Sequence, residues 1–162
     1  MTRQRRTVET QTGPVTLTQE GEHIVAVTWS DPAQQHYEDG TPLLRCAATQ
    51  LQEYFAGTRR DFDLPLKPRG TDFQRAVWDQ MLAIPYGETK SYGDLAKATD
   101  GIARAVGTAC GANPIPIFIP CHRVLAADRG LGGFSGGQGA ETKAFLLSLE
   151  GSWPVQHALP LG

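Results

Sequence analysis

Apolar residues early in the chain fall on alternate positions. The stretch "GPVTLTQEGEHIVAVTWS" places Val15 and Leu17, then Val25, Val27 and Trp29, on either side of the polar turn Gln19 to Glu22. A period of two belongs to half-buried strands, so a β-hairpin is expected here. The period then lengthens. In "TPLLRCAATQLQEYFAG", Leu44, Ala47, Leu51, Tyr54 and Phe55 recur at helical spacing, with Thr41 as N-cap, Pro42 at the first helical position and Gly57 as the stop. Cys46 falls inside this helix and reads as a small buried residue. The next segment, "TRRDFDLPLKPRG", has two prolines, dense charge and no period. It is read as a linker that separates an α/β lobe at residues 1–67 from a second lobe at 68–162.

Helical patterns dominate the second lobe. Thr71 and Gln74 have capping-box spacing, and Phe73, Val77, Met81 and Leu82 make an apolar stripe that ends before Pro85. Ser91 with Asp94 opens a short helix over Tyr92 to Thr99, and another runs from Ala103 until Asn113-Pro114 breaks it. Two short helices joined by "DGI" predict a helix-turn-helix. The second carries Ala103, Ala105, Gly107, Thr108, Ala109, Gly111 and Ala112, all small, at a cost in helix propensity for the glycines. Small side chains let a backbone come close to something, either a partner or another helix of the lobe. The expected class is α+β: a small N-terminal antiparallel sheet with a helix, followed by a mostly helical C-terminal lobe containing a helix-turn-helix.

Composition narrows the function classes. At 162 residues and 40% apolar content the chain can bury one ordinary core or two small ones. No apolar run approaches the roughly 20 residues that span a bilayer, and the opening "MTRQRRTVET" lacks a secretory hydrophobic segment, so a soluble cytoplasmic protein without membrane association is expected. Three cysteines with no CxxC pair argue against a disulfide framework. The net charge of −2 shows no overall basic excess. Its distribution is uneven: residues 1–66 carry six Lys/Arg against nine Asp/Glu, residues 67–134 eight against six, and the remainder one against two. Only the middle is positive.

The middle also holds the candidate chemistry. In "NPIPIFIPCHRV", Pro114, Pro116 and Pro120 cannot donate ladder hydrogen bonds, so "PIPIFIP" is expected to be an extended, stiff segment that delivers Cys121 to a fixed place. The glycine-rich "GLGGFSGG" that follows can approach a ligand closely. A cysteine with an ordinary pKa of roughly 8.5 is mostly thiol at neutral pH, so a nucleophile needs a base or a positive charge beside it. His122 and Arg123 are the neighbours. Adjacent residues of an extended chain point to opposite faces, so His122 reaches Cys121 only through a bridging water or a sharp turn. A carboxylate must orient the imidazole; Glu150, ending the apolar helix "ETKAFLLSLEG", is one candidate among several acids. On these residues alone a structural Cys-His pair remains an alternative, and metal binding is weaker because no second ligand pair stands at zinc spacing.

The order "ARAVGTACGANP", "IPCHRV", "GGFSGG" resembles the O6-alkylguanine-DNA alkyltransferases, or methylated-DNA-protein-cysteine methyltransferases, strongly from about Phe73 to Gly151 and loosely through "LQEYFAGTRRDFDLPL". The resemblance implies a single-turnover DNA-repair protein that needs no cofactor. It flips O6-alkylguanine, and possibly also O4-alkylthymine, from duplex DNA through the minor groove and moves the alkyl group irreversibly to Cys121. It further implies a relay of Cys121, a water, His122 and Glu150, with Asn113 bracing the backbone and Tyr92 donating to the departing guanine. Phe134, Ser135 and backbone groups from Val124 onward would hold the base. Arg104 would fill the gap in the stack, and the small-residue helix would enter a groove about 6 Å wide. The implied partner is double-stranded DNA carrying the lesion, bound by a monomer, with cooperative binding left open.

Two departures accompany the resemblance. Phe134 stands where many relatives have tyrosine, and His23 lacks the cysteines that accompany a structural zinc in some members, so no metal is expected. A lesion sensor without transfer and a cysteine hydrolase that turns over remain the competing classes.

Overall fold

The computed structural model describes residues 2–29, 35–126, 130, 131, 136, 137 and 139–153. The chain divides into two compact units: residues 1–69 with 114–118, and residues 70–113 with 119–162.

The first unit is built on an antiparallel meander, β1 (Arg3–Thr10), β2 (Gly13–Glu20) and β3 (His23–Trp29). The hairpin read from the sequence is β2 and β3, and β1 pairs with β2 along its whole length, from Arg3 opposite Glu20 to Thr10 opposite Gly13. Its charged start, "RQRRT", hid this strand from a hydrophobic-period reading. Along β2, Val15 and Leu17 are buried, and so are Thr16 and Thr18 between them. Both faces of the sheet are therefore covered. The buried Thr7 and Thr16 hydroxyls satisfy each other at 2.8 Å, as a buried polar pair must. Helix α1 (Pro42–Phe55) packs on β1 and β2 through Leu44, Ala47, Ala48, Leu51, Tyr54 and Phe55. Thr41 caps it by accepting from the Leu44 amide, with Pro42 in its first turn. Cys46 is exposed on this helix, which corrects the expectation of burial; its position falls off the stripe of Leu44, Ala47 and Leu51.

The predicted linker is partly structured. Ile24 of β3 accepts from the Lys67 amide at 2.9 Å and donates to the Pro65 carbonyl at 2.8 Å. A second correction concerns "PIPIFIP". Residues 114–118 pack with the first unit rather than the second, and the segment is bent, not extended. The Pro114 carbonyl accepts from the Val27 amide at 2.9 Å. Ile117 then adopts φ 73°, and Phe118 N–H reaches back to the Pro116 carbonyl at 2.9 Å, a γ-turn of the strained positive-φ kind. Phe118 packs on Phe62, ring centroids 4.6 Å apart. Burial of Ile117 and Phe118 holds a backbone geometry that local preference disfavours.

The second unit groups α2 (Asp72–Leu82), α3 (Tyr92–Ala98) and α4 (Ala103–Gly111), followed by a 3-10 turn (Cys121–Arg123) and α5 (Ala140–Leu149). Both capping boxes read from the sequence form, Thr71 with Gln74 and Ser91 with Asp94. Trp78 of α2 is buried and donates its indole N–H to the Ala109 carbonyl of α4 at 2.9 Å. Leu82, counted in the α2 stripe, is 48% exposed. In the α3–α4 turn a Cβ on Gly101 would lie 2.8 Å from the Phe73 ring, so a larger residue there would have to displace that ring. Two short strands, β4 (Lys90–Ser91) and β5 (Val124–Leu125), pair in parallel and tie the start of α3 to the chain leaving the 3-10 turn.

Candidate active site

Pro120 sets the entry to the site. Its φ of −81° and ψ of 68° make an inverse γ-turn, closed by Cys121 N–H to the Ile119 carbonyl at 2.8 Å. Proline's ring already holds φ near that value, so the bend before the thiol is set by local chemistry. The chain then winds directly into the 3-10 turn of Cys121, His122 and Arg123, with Arg123 N–H on the Pro120 carbonyl at 3.0 Å. Of the two routes from His122 to Cys121 that the sequence left open, a bridging water or a sharp turn, the turn is present, and all three side chains are buried.

Glu150 is the acid that the site selects. It is the C-cap residue of α5, and its Oε2 lies 2.7 Å from His122 Nε2 with both side chains fully buried. Arg123 grips the same carboxylate, Nε to Oε1 at 2.8 Å and Nη2 to Oε2 at 3.0 Å, and donates Nη1 to the Ile84 carbonyl at 2.6 Å. Burial alone would raise the Glu150 pKa. Hydrogen bonds from His122 and Arg123, with the positive charge of Arg123, outweigh it and hold the carboxyl at about 2. Glu150 is thus an ionised acceptor, and His122 Nε2 must carry the proton between them. The other ring nitrogen, Nδ1, is buried with no hydrogen-bond partner among the described residues. Burial also lowers the His122 pKa, against the pull of Glu150. The imidazole is neutral and offers a lone pair at Nδ1.

Cys121 is buried as well, and desolvation pushes its pKa up. A hydrogen bond from the Asn113 side chain and the charge of Lys143 work in the opposite direction. Asn113 also donates Nδ2 to the Ile119 carbonyl at 2.9 Å, so one amide braces both the residue before Pro120 and the thiol after it. At rest the group is a thiol, and its proton must be removed before sulfur can attack. Cys110, on α4, is pushed to about 12 by burial and then by Cys121, which makes it an inert packing group.

Lys143 is the functional residue that the sequence reading missed. It is fully buried on α5, donates Nζ to the Val124 carbonyl at 2.7 Å, and lies 5.8 Å from the centroid of the half-buried Tyr92 ring. Desolvation lowers its pKa, opposed by Cys121 and Cys110. A signal was available: Lys143, Leu146, Leu147 and Glu150 stand at i, i+3, i+4 and i+7, so two charges lie on the inward stripe of an apolar helix. Among the remaining predicted residues, Val124 contributes its carbonyl to Lys143 and its side chain to the core. Arg104 is exposed on α4. Phe134 and Ser135 lie outside the described residues, as does half of the glycine-rich loop.

Helix α4 settles one of the open alternatives. Among the described residues, a Cβ on Gly107 or on Gly111 would meet nothing within 4 Å. Their smallness does not serve packing inside the protein. Val106, Ala109 and Cys110 form the buried side, and Ala103, Arg104, Thr108 and Gly111 the exposed one.

Comparison with known proteins bears on this geometry. Residues 5–68 match the family model for the ribonuclease-like domain of 6-O-methylguanine DNA methyltransferase, and residues 72–152 match the model for its DNA binding domain. The chain belongs to the 6-O-methylguanine DNA methyltransferase family. A Bacillus subtilis relative, the constitutive methylated-DNA–protein-cysteine methyltransferase, is 43% identical over 154 residues, covering 89% of this chain and 93% of its own. The Mycobacterium tuberculosis protein OGT, solved in complex with DNA, superposes with a TM-score of 0.80 at 42% identity over 91% of this chain and 92% of its own. An O6-methylguanine methyltransferase structure from the same organism gives 0.81 at 39% identity, over 96% and 98%. In this family setting the α+β class and the helix-turn-helix lobe are as the sequence analysis expected. No described helix is long and apolar enough to cross a membrane.

Proposed function

We propose that this methyltransferase takes the alkyl group from O6 of guanine in duplex DNA onto Cys121, once per molecule. The observation that carries the reading is the buried His122 imidazole, tied to Glu150 through Nε2 and with no partner for Nδ1 among the described residues, in the same tight turn as the thiol. The Cys121 proton passes to His122 Nδ1 by way of a bridging water. Sulfur then displaces guanine at the alkyl carbon: the S–C bond forms, the C–O6 bond breaks, and the electron pair leaves on the base, which recovers a proton. The products are a stable thioether and unmodified guanine, so the protein is its own final acceptor. Asn113 and Lys143 favour the thiolate as it develops. Tyr92 donates to the departing guanine from the first turn of α3, and Phe134, Ser135 and backbone groups near Val124 hold the base.

Helix α4 enters the minor groove with its small face, and Arg104 occupies the space of the flipped base. O4-alkylthymine is a second substrate on the same chemistry. The protein acts as a monomer in the cytoplasm, and the three free thiols suit that compartment.

Intact-protein mass with peptide mapping tests the reading directly. After mixing with an equimolar duplex bearing one O6-methylguanine, one methyl gain on Cys121 is expected, saturating at one per molecule. Lesion-selective binding without mass gain would make the protein a sensor, and repeated release of product would make it a hydrolase.

Gly107→Leu tests the groove face separately. Open space at Gly107 and the higher helix propensity of leucine predict an unchanged or slightly higher melting temperature. Affinity for duplex DNA is expected to fall at least about tenfold, as a branched side chain is forced against the groove. Transfer from the free base O6-benzylguanine should be unaltered. Equal losses on duplex and free base would remove α4 from the DNA interface.

A further inference from the structure

Arg123 has no part in the relay, yet it makes three hydrogen bonds at 7% side-chain exposure. We propose that Arg123 is a positioning residue for alkyl transfer: it clamps Glu150 so that the carboxylate orients His122 without charging it. The proposal rests on the roles of Cys121 and His122 given above.

The geometry supplies two effects. Oε2 of Glu150 is shared, accepting from both His122 Nε2 at 2.7 Å and Arg123 Nη2 at 3.0 Å, while Oε1 takes Arg123 Nε at 2.8 Å. This fork-on-fork pairing fixes the plane of the carboxylate, and with it the ring that donates to Oε2. The Ile84 carbonyl at 2.6 Å and the Tyr86 ring, 5.8 Å from the guanidinium carbon, hold the far side of Arg123, and Tyr86 is itself fastened by its hydroxyl to the Leu149 carbonyl at 3.2 Å. The second effect is on charge. A bare carboxylate buried against an imidazole draws a proton onto the ring, and an imidazolium cannot accept the thiol proton. Paired with Arg123, Glu150 presents a nearly neutral unit while keeping its hydrogen bond.

Among the described residues, the elements packed on the turn add no rival carboxylate to His122. Its own turn supplies Cys121 and Arg123. On α5, the inward charges are Lys143 and Glu150, and Glu141 is exposed. On α2, which also packs on the turn, Val77, Trp78 and Met81 are buried while Asp72, Arg75 and Asp79 are exposed. Arg123 and Lys143 both lower the proton affinity of His122, in keeping with a ring kept neutral. Consecutive residues of a 3-10 turn converge on one carboxylate, which an extended Cys-His-Arg segment could not do.

The test is the pH–rate profile of transfer from free O6-benzylguanine in wild type, Arg123→Gln and Arg123→Lys. Removing the charge should move the acid limb up by about one pH unit, with the rate converging on wild type at higher pH. Arg123→Lys, which keeps the charge, should leave the limb within a few tenths of a unit of wild type. A uniform loss at all pH values in both variants, with the limb unmoved, would reduce Arg123 to a structural group and overturn the proposal. Should the variants fail to fold, 15N NMR of labelled histidine in the wild-type protein decides: His122 neutral and protonated on Nε2 near pH 7 is expected, and an imidazolium there would sink the clamp. If wild type transfers nothing while His122 is neutral, the transfer reading fails and the clamp stands.

Discussion

Cys121→Ala is expected to abolish alkyl transfer, below about one part in 10⁴ of the wild-type rate, while leaving binding to a duplex containing O6-methylguanine within about twofold. The alkyl carbon ends bonded to sulfur, and no other described thiol can take its place: Cys46 is exposed on α1 in the other unit, and Cys110 is pushed to about 12 by burial. Arg104, Thr108 and Gly111, on the α4 face proposed to meet DNA, are exposed, whereas Cys121 is buried, so the substitution leaves that face untouched. Mass spectrometry reads transfer and fluorescence anisotropy reads binding. Methylation appearing on Cys110 in the variant would show that the site supplies activation without choosing the sulfur. Loss of binding together with transfer would mean that the thiol holds the lesion base as well as attacking it.

The second large effect is on stability. Glu150→Ala is expected to destabilise the fold by about 3–5 kcal/mol, read as a shift in the urea midpoint, because it strands the buried Arg123 guanidinium without a counter-charge. A wild-type pH titration carries the matching sign. The Glu150 carboxyl is held at about 2 in the folded protein, below its ordinary value of 4.5. A depressed pKa means that the folded state binds the proton less readily than the unfolded chain. Its contribution is therefore complete above about pH 4.5 and is lost as the pH falls toward 2. In Glu150→Ala this part of the acid sensitivity should disappear. A variant as stable as wild type at pH 7 would show that Arg123 is satisfied by Ile84 and Tyr86 alone.

Much of the architecture is local, and local chemistry is legible in a sequence. Thr41 with Pro42, Thr71 with Gln74 and Ser91 with Asp94 announce helix starts because a cap is formed by residues at most three positions apart. Alternation in β2 and β3 shows for the same reason, although β1 did not, since its charged first half carries no apolar period. The proposed nucleophile also stood out. A proline before a cysteine constrains one bond, and that constraint survives in the folded turn at Pro120.

What the sequence by itself determined, then, was the β2–β3 hairpin and the succession of capped helices, the family resemblance and the candidate thiol with its neighbouring imidazole. Tertiary structure decided the rest. Glu150 lies 28 positions from His122; its place on the inward stripe of α5 is legible locally, but its pairing with His122 exists only once α5 packs on the 3-10 turn. Lys143 becomes a buried charge beside Cys121 and Cys110 only through the same packing. The course of Pro114–Phe118 was misread because proline reports φ alone; the bend at Ile117 is held by burial of Ile117 and Phe118, a long-range effect that opposes local preference. Whether small residues on α4 served the interior or an outer surface was likewise undecidable from composition. Among the described residues, open space beside Gly107 and Gly111 decides it for the two glycines, whereas Ala109 is buried with Trp78 of α2 on its carbonyl, because close approach is a property of three-dimensional neighbours and not of residue type.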